Sequence, residues 1–111
     1  THGAGLAVVF PAWMTYVLDQ DVSRFAQLAV RVWGCSMDFA DPRRTALEGI
    51  QRFRTFLKSI GMPLTLRELG IQEPDLPLLV EKSGATDSKP IGKFVPLYAK
   101  DVRAIYELAM G

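Results

Sequence analysis

The chain holds one histidine, His2, and one cysteine, Cys35, in 111 residues. A lone cysteine excludes an internal disulfide and suits a reducing compartment, so a cytoplasmic location is expected. HExxH and CxxC metal motifs are excluded by the same scarcity, and neither GxGxxG nor GxxxxGK[ST] occurs. Charge is nearly balanced, at +1. That removes the electrostatic case for a nucleic-acid partner or an anionic membrane surface. No stretch alternates apolar and polar residues over a β-branched run, and no repeat or low-complexity tract appears.

What is present is apolar sequence at helical spacing. Apolar residues make up 49% and charged residues 23%, enough to build one core at this length. The chain opens on Thr1 rather than Met, so a piece of something longer is expected. From Leu6 to Leu18 the residues read as a core helix. Leu6, Val9, Phe10, Trp13, Met14 and Val17 recur at steps of three and four, and Ala7, Val8, Ala12 and Leu18 make the other side apolar too. This run tempts a membrane-spanning reading. Pro11, Thr15 and Tyr16 interrupt it and no basic cluster flanks it, so no membrane partner is expected. It is no signal peptide either, lacking a basic start. Pro11 predicts a kink, or a break with a fresh helix beginning there.

The remaining elements follow from their stops and caps. Asp21 or Ser23 caps a second helix, which has Phe25, Leu28, Ala29, Val32 and Trp33 on one face and Gly34 as its stop. After a loop, Asp41-Pro42 starts a third, capped by the acid. It runs to Ile60 with Leu47, Ile50, Phe53, Phe56 or Leu57, and Ile60 inward. Arg44 with Glu48, and Glu48 with Arg52, have ion-pair spacing. Thr65 and Glu68 have capping-box spacing around a single turn. A short helix carries Leu76, Leu79 and Val80 up to Gly84. Residues 85–93 form the most loop-like stretch, the one expected to be mobile. A last helix begins near Ala99 to Asp101 and carries Val102, Ile105, Tyr106 and Ala109. The chain reads as a single all-α domain of five or six helices.

The run His2-Gly3-Ala4-Gly5-Leu6-Ala7, followed by Pro11-Ala12-Trp13-Met14 and Tyr16, resembles the iron-containing (group III) alcohol dehydrogenases, in their butanol dehydrogenase and aldehyde reductase branch. The later LEGI, SIGMP, LRELG and FVPL segments fit the same pattern, so the resemblance spans the chain. It implies that residues 1–111 are the C-terminal all-α metal-binding domain of a two-domain oxidoreductase. The nucleotide-binding N-terminal domain is absent from this chain. In that family a His-Gly pair opens a long helix and supplies the last of four ligands to a divalent metal, iron or zinc. The resemblance places that role on His2. The other ligands, and most of the binding of NAD or NADP, would lie upstream. The implied substrates are small alcohols or aldehydes, the missing domain is the implied partner, and a homo-oligomer is compatible. The isolated chain is expected to be inactive.

Read without the resemblance, the same residues are plainer. A lone histidine near a terminus is ordinarily a surface or capping group. Cys35 has no base beside it and reads as an inert thiol. Arg43, Arg44, Arg52, Arg54 and Lys58 read as a solvated helix face. Phe10, Trp13, Met14 and Trp33 could line a pocket but read first as core. Leu6, one turn after His2 on the same face, is the apolar neighbour expected if His2 faces a substrate cleft. The competing functional class is a free-standing helical interaction module that buries its first helix against a partner.

Overall fold

A computed structural model describes residues 2–111, the side chain of His2 excepted. Five α-helices account for the order: α1 (His2–Val17), α2 (Val22–Trp33), α3 (Pro42–Ser59), α4 (Leu76–Ser83) and α5 (Ala99–Met110). Short 3-10 turns at Leu18–Gln20, Arg67–Leu69 and Glu73–Asp75 join them. Among the described residues the only β pairing is a single antiparallel bridge, Ile91 with Leu97. The domain is all-α.

The caps act largely where the sequence puts them. Asp21 accepts from the backbone N–H of Arg24 at 3.2 Å and starts α2. Gly34, at φ 69, lets the chain turn back so that the N–H of Cys35 reaches the Ala29 carbonyl at 3.1 Å. Thr65 and Glu68 form the reciprocal box: Glu68 N–H donates to Thr65 Oγ1 at 3.2 Å, and Thr65 N–H donates to the Glu68 carboxylate at 3.3 Å. The start of α3 differs. Pro42 is its first residue, but the Asp41 side chain caps nothing. Asp38 does the local work, accepting from the N–H groups of Ala40 and Asp41, each at 3.0 Å. Its own N–H donates to buried Thr45 Oγ1 at 2.8 Å. Arg44 likewise reaches Asp38 rather than Glu48, which pairs with Arg52 at 3.0 Å.

Pro11 does not break α1, which runs through it without interruption. Thr15 Oγ1 donates back to the Pro11 carbonyl at 2.9 Å. Segment 85–93 is tied by backbone bonds: Thr86 N–H to the Lys89 carbonyl at 2.9 Å, and Ala99 N–H to the Thr86 carbonyl at 3.0 Å.

The molecule is a slab of 40 × 34 × 18 Å. A helix with side chains is ~10 Å across, so the thin direction holds two layers. The closest packing joins α2 to α3, and α1 lies between α5 and α3. Val8, Ala12, Val17, Leu18, Ala26, Ala46, Ile50, Leu76, Val102, Ile105 and Ala109 form the centre of the core. Three expected faces are corrected. On α2 the buried residues are Phe25, Ala26 and Ala29, while Leu28 and Val32 are exposed. On α3 they are Thr45, Ala46, Gly49, Ile50 and Leu57, with Phe56 and Ile60 outside. The cause is close approach. A Cβ built on Gly49 would stand 2.3 Å from the Ala29 Cβ, so small residues set the contact and the large neighbours fall beside it. On α1 the buried set is Ala7, Val8, Pro11, Ala12, Met14 and Val17, with Leu18 buried in the turn that follows, whereas Leu6 and Phe10 are exposed. A two-layer slab cannot cover an all-round apolar helix on every side.

Candidate functional site

His2 opens α1. Its side chain, and with it the expected metal ligation, lies outside the described residues. Met62, just beyond α3, approaches this end of α1: its Cε lies 3.9 Å from where a Gly3 Cβ would stand. The far end of α1 is fixed to the start of α5 by Tyr16 Oη, which donates to Asp101 Oδ1 at 2.5 Å. Asp101 also accepts from the Tyr98 N–H at 2.8 Å and so sets the first turn of α5.

The exposed stripe of α1 borders two apolar grooves. One, of about 390 Å³, lies between α1 and α5 and is walled by Leu6, Val9, Phe10, Val102, Ile105 and Tyr106. Its Leu6 end is one helical turn from His2. Burial pushes the Tyr106 phenol up, so the hydroxyl is neutral at physiological pH and the groove carries no charge there. The second groove, of about 500 Å³, lies between α1 and α2. Phe10 and Trp13 belong to both walls and meet edge to face at 5.7 Å between ring centres. Trp13 continues into an aromatic cluster with Phe25 at 6.2 Å and Phe94 at 5.9 Å, so it is packed as core and wall at once.

Other candidate residues fall elsewhere. Cys35 is buried at the end of α2, and burial first, then a hydrogen bond with Glu48, pushes its thiol up, away from the reactive thiolate. Of the α3 cations, Arg43 pairs with Asp19 at 2.8 Å, and Arg52 donates to the Trp33 carbonyl at 2.8 Å besides its pair with Glu48. Trp33 stacks on Phe53 at 5.4 Å and lines neither groove, although Phe53 in turn meets Phe10 at 5.9 Å. Among the described residues no three His, Cys, Asp or Glu side chains converge as a metal site. No helix among them is long and apolar enough to cross a membrane.

Residues 1–110 match the model of the Fe-containing alcohol dehydrogenase family, C-terminal. The chain belongs to the iron-containing alcohol dehydrogenase family. It is 35% identical over 108 residues to NADH-dependent butanol dehydrogenase A of Clostridium acetobutylicum, covering 96% of this chain and 28% of that protein. It is 33% identical to a probable NADH-dependent butanol dehydrogenase of Bacillus subtilis, over 98% of this chain and 28% of that protein. The crystal structure of NADH-dependent butanol dehydrogenase A from Thermotoga maritima superposes with a TM-score of 0.85 at 34% identity, over 99% of this chain and 29% of that one. The chain therefore spans little more than a quarter of the length of its alcohol dehydrogenase relatives. The five-helix domain is the family's C-terminal fold.

The grooves were not legible in sequence. Of the four pocket candidates, Phe10, Trp13 and Met14 line the grooves and Trp33 does not. Their partners on α5 and α2, and Phe94 on the loop, come together only through the packing of α1 between its neighbours. The one signal available was the all-round apolar pattern of α1, which the fold leaves exposed at Leu6 and Phe10.

Proposed function

We propose that this chain is the C-terminal part of a nicotinamide-dependent oxidoreductase that interconverts alcohols and aldehydes, with His2 as one ligand to a divalent metal. The observation that carries the reading is the match of residues 1–110 to the family's C-terminal domain, with the His-Gly pair at the start of α1. The donor chemistry fits. His2 is the only imidazole in the chain, and a neutral imidazole suits either iron or zinc. A catalytic site needs about three protein ligands or more. On this reading the other donors belong to sequence outside this chain. When bound, the metal would polarise the alcohol or aldehyde oxygen, and the nicotinamide would accept or supply hydride.

The residues of this chain then have separable tasks. His2 holds one coordination position at the helix start. Leu6 and Val9 present apolar surface one and two turns further on, where the hydrocarbon part of a small substrate would lie against the α1–α5 groove. Trp13 and Phe10 exclude water from its far wall. Tyr16 and Asp101 hold α1 and α5 in register, and so fix the groove's width. NAD or NADP would be bound mainly by the N-terminal part that this chain lacks, and the 111 residues alone would show no turnover.

The deciding experiment is His2→Ala in the full-length protein, with metal per chain and aldehyde reduction measured beside wild type. Depleted metal and near-absent turnover, with dinucleotide binding kept, support the reading. Full metal and full activity would remove it. A free-standing interaction module would instead come from a gene with no upstream dinucleotide-binding segment.

A further inference from the structure

The loop between α4 and α5 crosses the Phe10–Trp13 wall. Its two arms meet at Ile91 and Leu97, whose backbones exchange hydrogen bonds at 2.9 and 2.8 Å. The tip between them is tight: Gly92 stands at φ 88, and a Cβ on it would come 3.2 Å from the Val95 carbonyl oxygen. Ile91 and Leu97 line the α1–α5 groove, whereas Phe94 at the tip lines the α1–α2 groove. The loop therefore straddles Trp13, which both grooves share. Three rings hold the Trp13 indole edge to face. Phe10 and Phe25 belong to helices; Phe94, at 5.9 Å, is supplied by the loop. Phe94 is itself fixed from two further sides, by the Phe25 ring at 5.9 Å and by the Arg24 guanidinium 5.2 Å over its centre.

We infer that Phe94 sets the chain-length limit for substrate by holding Trp13 as the end wall of the α1–α5 groove. The inference rests on the proposed reading that this groove takes the hydrocarbon part of an alcohol or aldehyde. Trp13 lies two turns of α1 beyond Leu6, about 10 Å along the axis. A straight aliphatic chain entering from the His2 end passes Leu6 and Val9 and then meets the indole. No charged residue lines that groove among the described residues, so it discriminates by length and volume rather than by hydrogen bonding. Phe94 is a positioning residue: it stands behind the wall and touches no substrate. Removing its ring makes room on the α1–α2 side into which the indole can turn, and the groove lengthens.

The test uses the full-length protein with propanal, hexanal and decanal, and reads kcat/KM for decanal relative to propanal, with metal per chain measured beside it. Phe94→Ala should raise that ratio about ten-fold or more, the size of effect that a changed pocket wall gives, chiefly through a lower KM for decanal. Metal content and propanal kinetics should stay at wild type. Phe94→Tyr keeps the ring and should keep the wild-type ratio. Phe94→Leu retains more of the packing, covers the case in which Phe94→Ala does not fold, and should shift the ratio the same way. Trp13→Leu removes the wall itself, so adding Phe94→Ala to it should raise the ratio no further. An unchanged ratio in an active, metal-loaded enzyme overturns this inference alone, as does an equal loss at every chain length or an additive double variant. A wild type that reduces none of the three aldehydes overturns it together with the oxidoreductase reading.

Discussion

Gly49 of α3 and Ala29 of α2 lie in direct contact, close enough that any side chain on Gly49 would strike the Ala29 backbone: a Cβ there would stand 2.9 Å from the Ala29 Cα. Two effects compete in Gly49→Ala. Helix propensity favours alanine by about 1 kcal/mol. Overpacking at a tight crossing costs about 1–3 kcal/mol, and the obstacle here includes backbone, which cannot rotate away. The clash wins. Gly49→Ala should destabilise the protein, read as a lower midpoint in urea, and Gly49→Leu should do so further. An unchanged or raised midpoint for Gly49→Ala would show that α2 and α3 separate without cost.

Tyr16→Phe should weaken the tie between α1 and α5. A hydrogen bond to a charged acceptor is worth about 1.5–3 kcal/mol in general, and exposure reduces this one to about 1 kcal/mol or less. The loss depends on pH with a definite sign. The Tyr16 hydroxyl, then the Tyr98 N–H, holds the Asp101 carboxyl below its ordinary value. Its stabilisation is therefore present above the usual carboxylate range and disappears as pH falls through the depressed folded value. Wild type and Tyr16→Phe should differ at neutral pH and converge in acid. A difference that grows on acidification would contradict this arrangement.

Thr45→Val keeps the volume of a buried side chain but removes the acceptor for the Asp38 N–H. The donor is part-buried and would be left without its partner, at a cost of about 1–2 kcal/mol. Thr45→Ser keeps the oxygen and should recover most of the loss. Thermal midpoints of the three proteins measured together give the answer.

At neutral pH, Cys35 should react slowly with a thiol reagent such as an aromatic disulfide and fully only after unfolding. Burial and the Glu48 bond both raise its pKa, which lowers the thiolate fraction, and the sulfur is enclosed. Rapid stoichiometric labelling of the native protein would mean that the Gly34 turn opens readily.

Helix positions were legible because their ends carry strong local chemistry: Asp21, Gly34, Pro42, the Thr65–Glu68 box and Gly84 all act as boundaries. Helix faces were less so. Reading periodicity by the largest residues favoured Leu28, Val32 and Ile60, which lie outside, and left Phe56 and Leu57 open, of which Leu57 is buried. Ala26, Ala29, Ala46 and Gly49 carry the contact because their small size lets backbones meet, and small residues give a weak apolar signal. The Asp38 loop was missed for another reason. Asp41 has the conventional position before Pro42, but the backbone turn places Asp38 against the free N–H groups. The candidate metal role of His2 came from a family motif, which local patterning could not supply.

Phe10 stands in both walls, so the two grooves have no independent widths. Any rotation of its ring that opens the α1–α5 side for a bulkier hydrocarbon takes room from the α1–α2 side, and the reverse holds equally. Occupants of the two grooves would consequently carry a shared free energy, and each would alter the other's affinity by the same factor. A smaller side chain at this one position would unlink them.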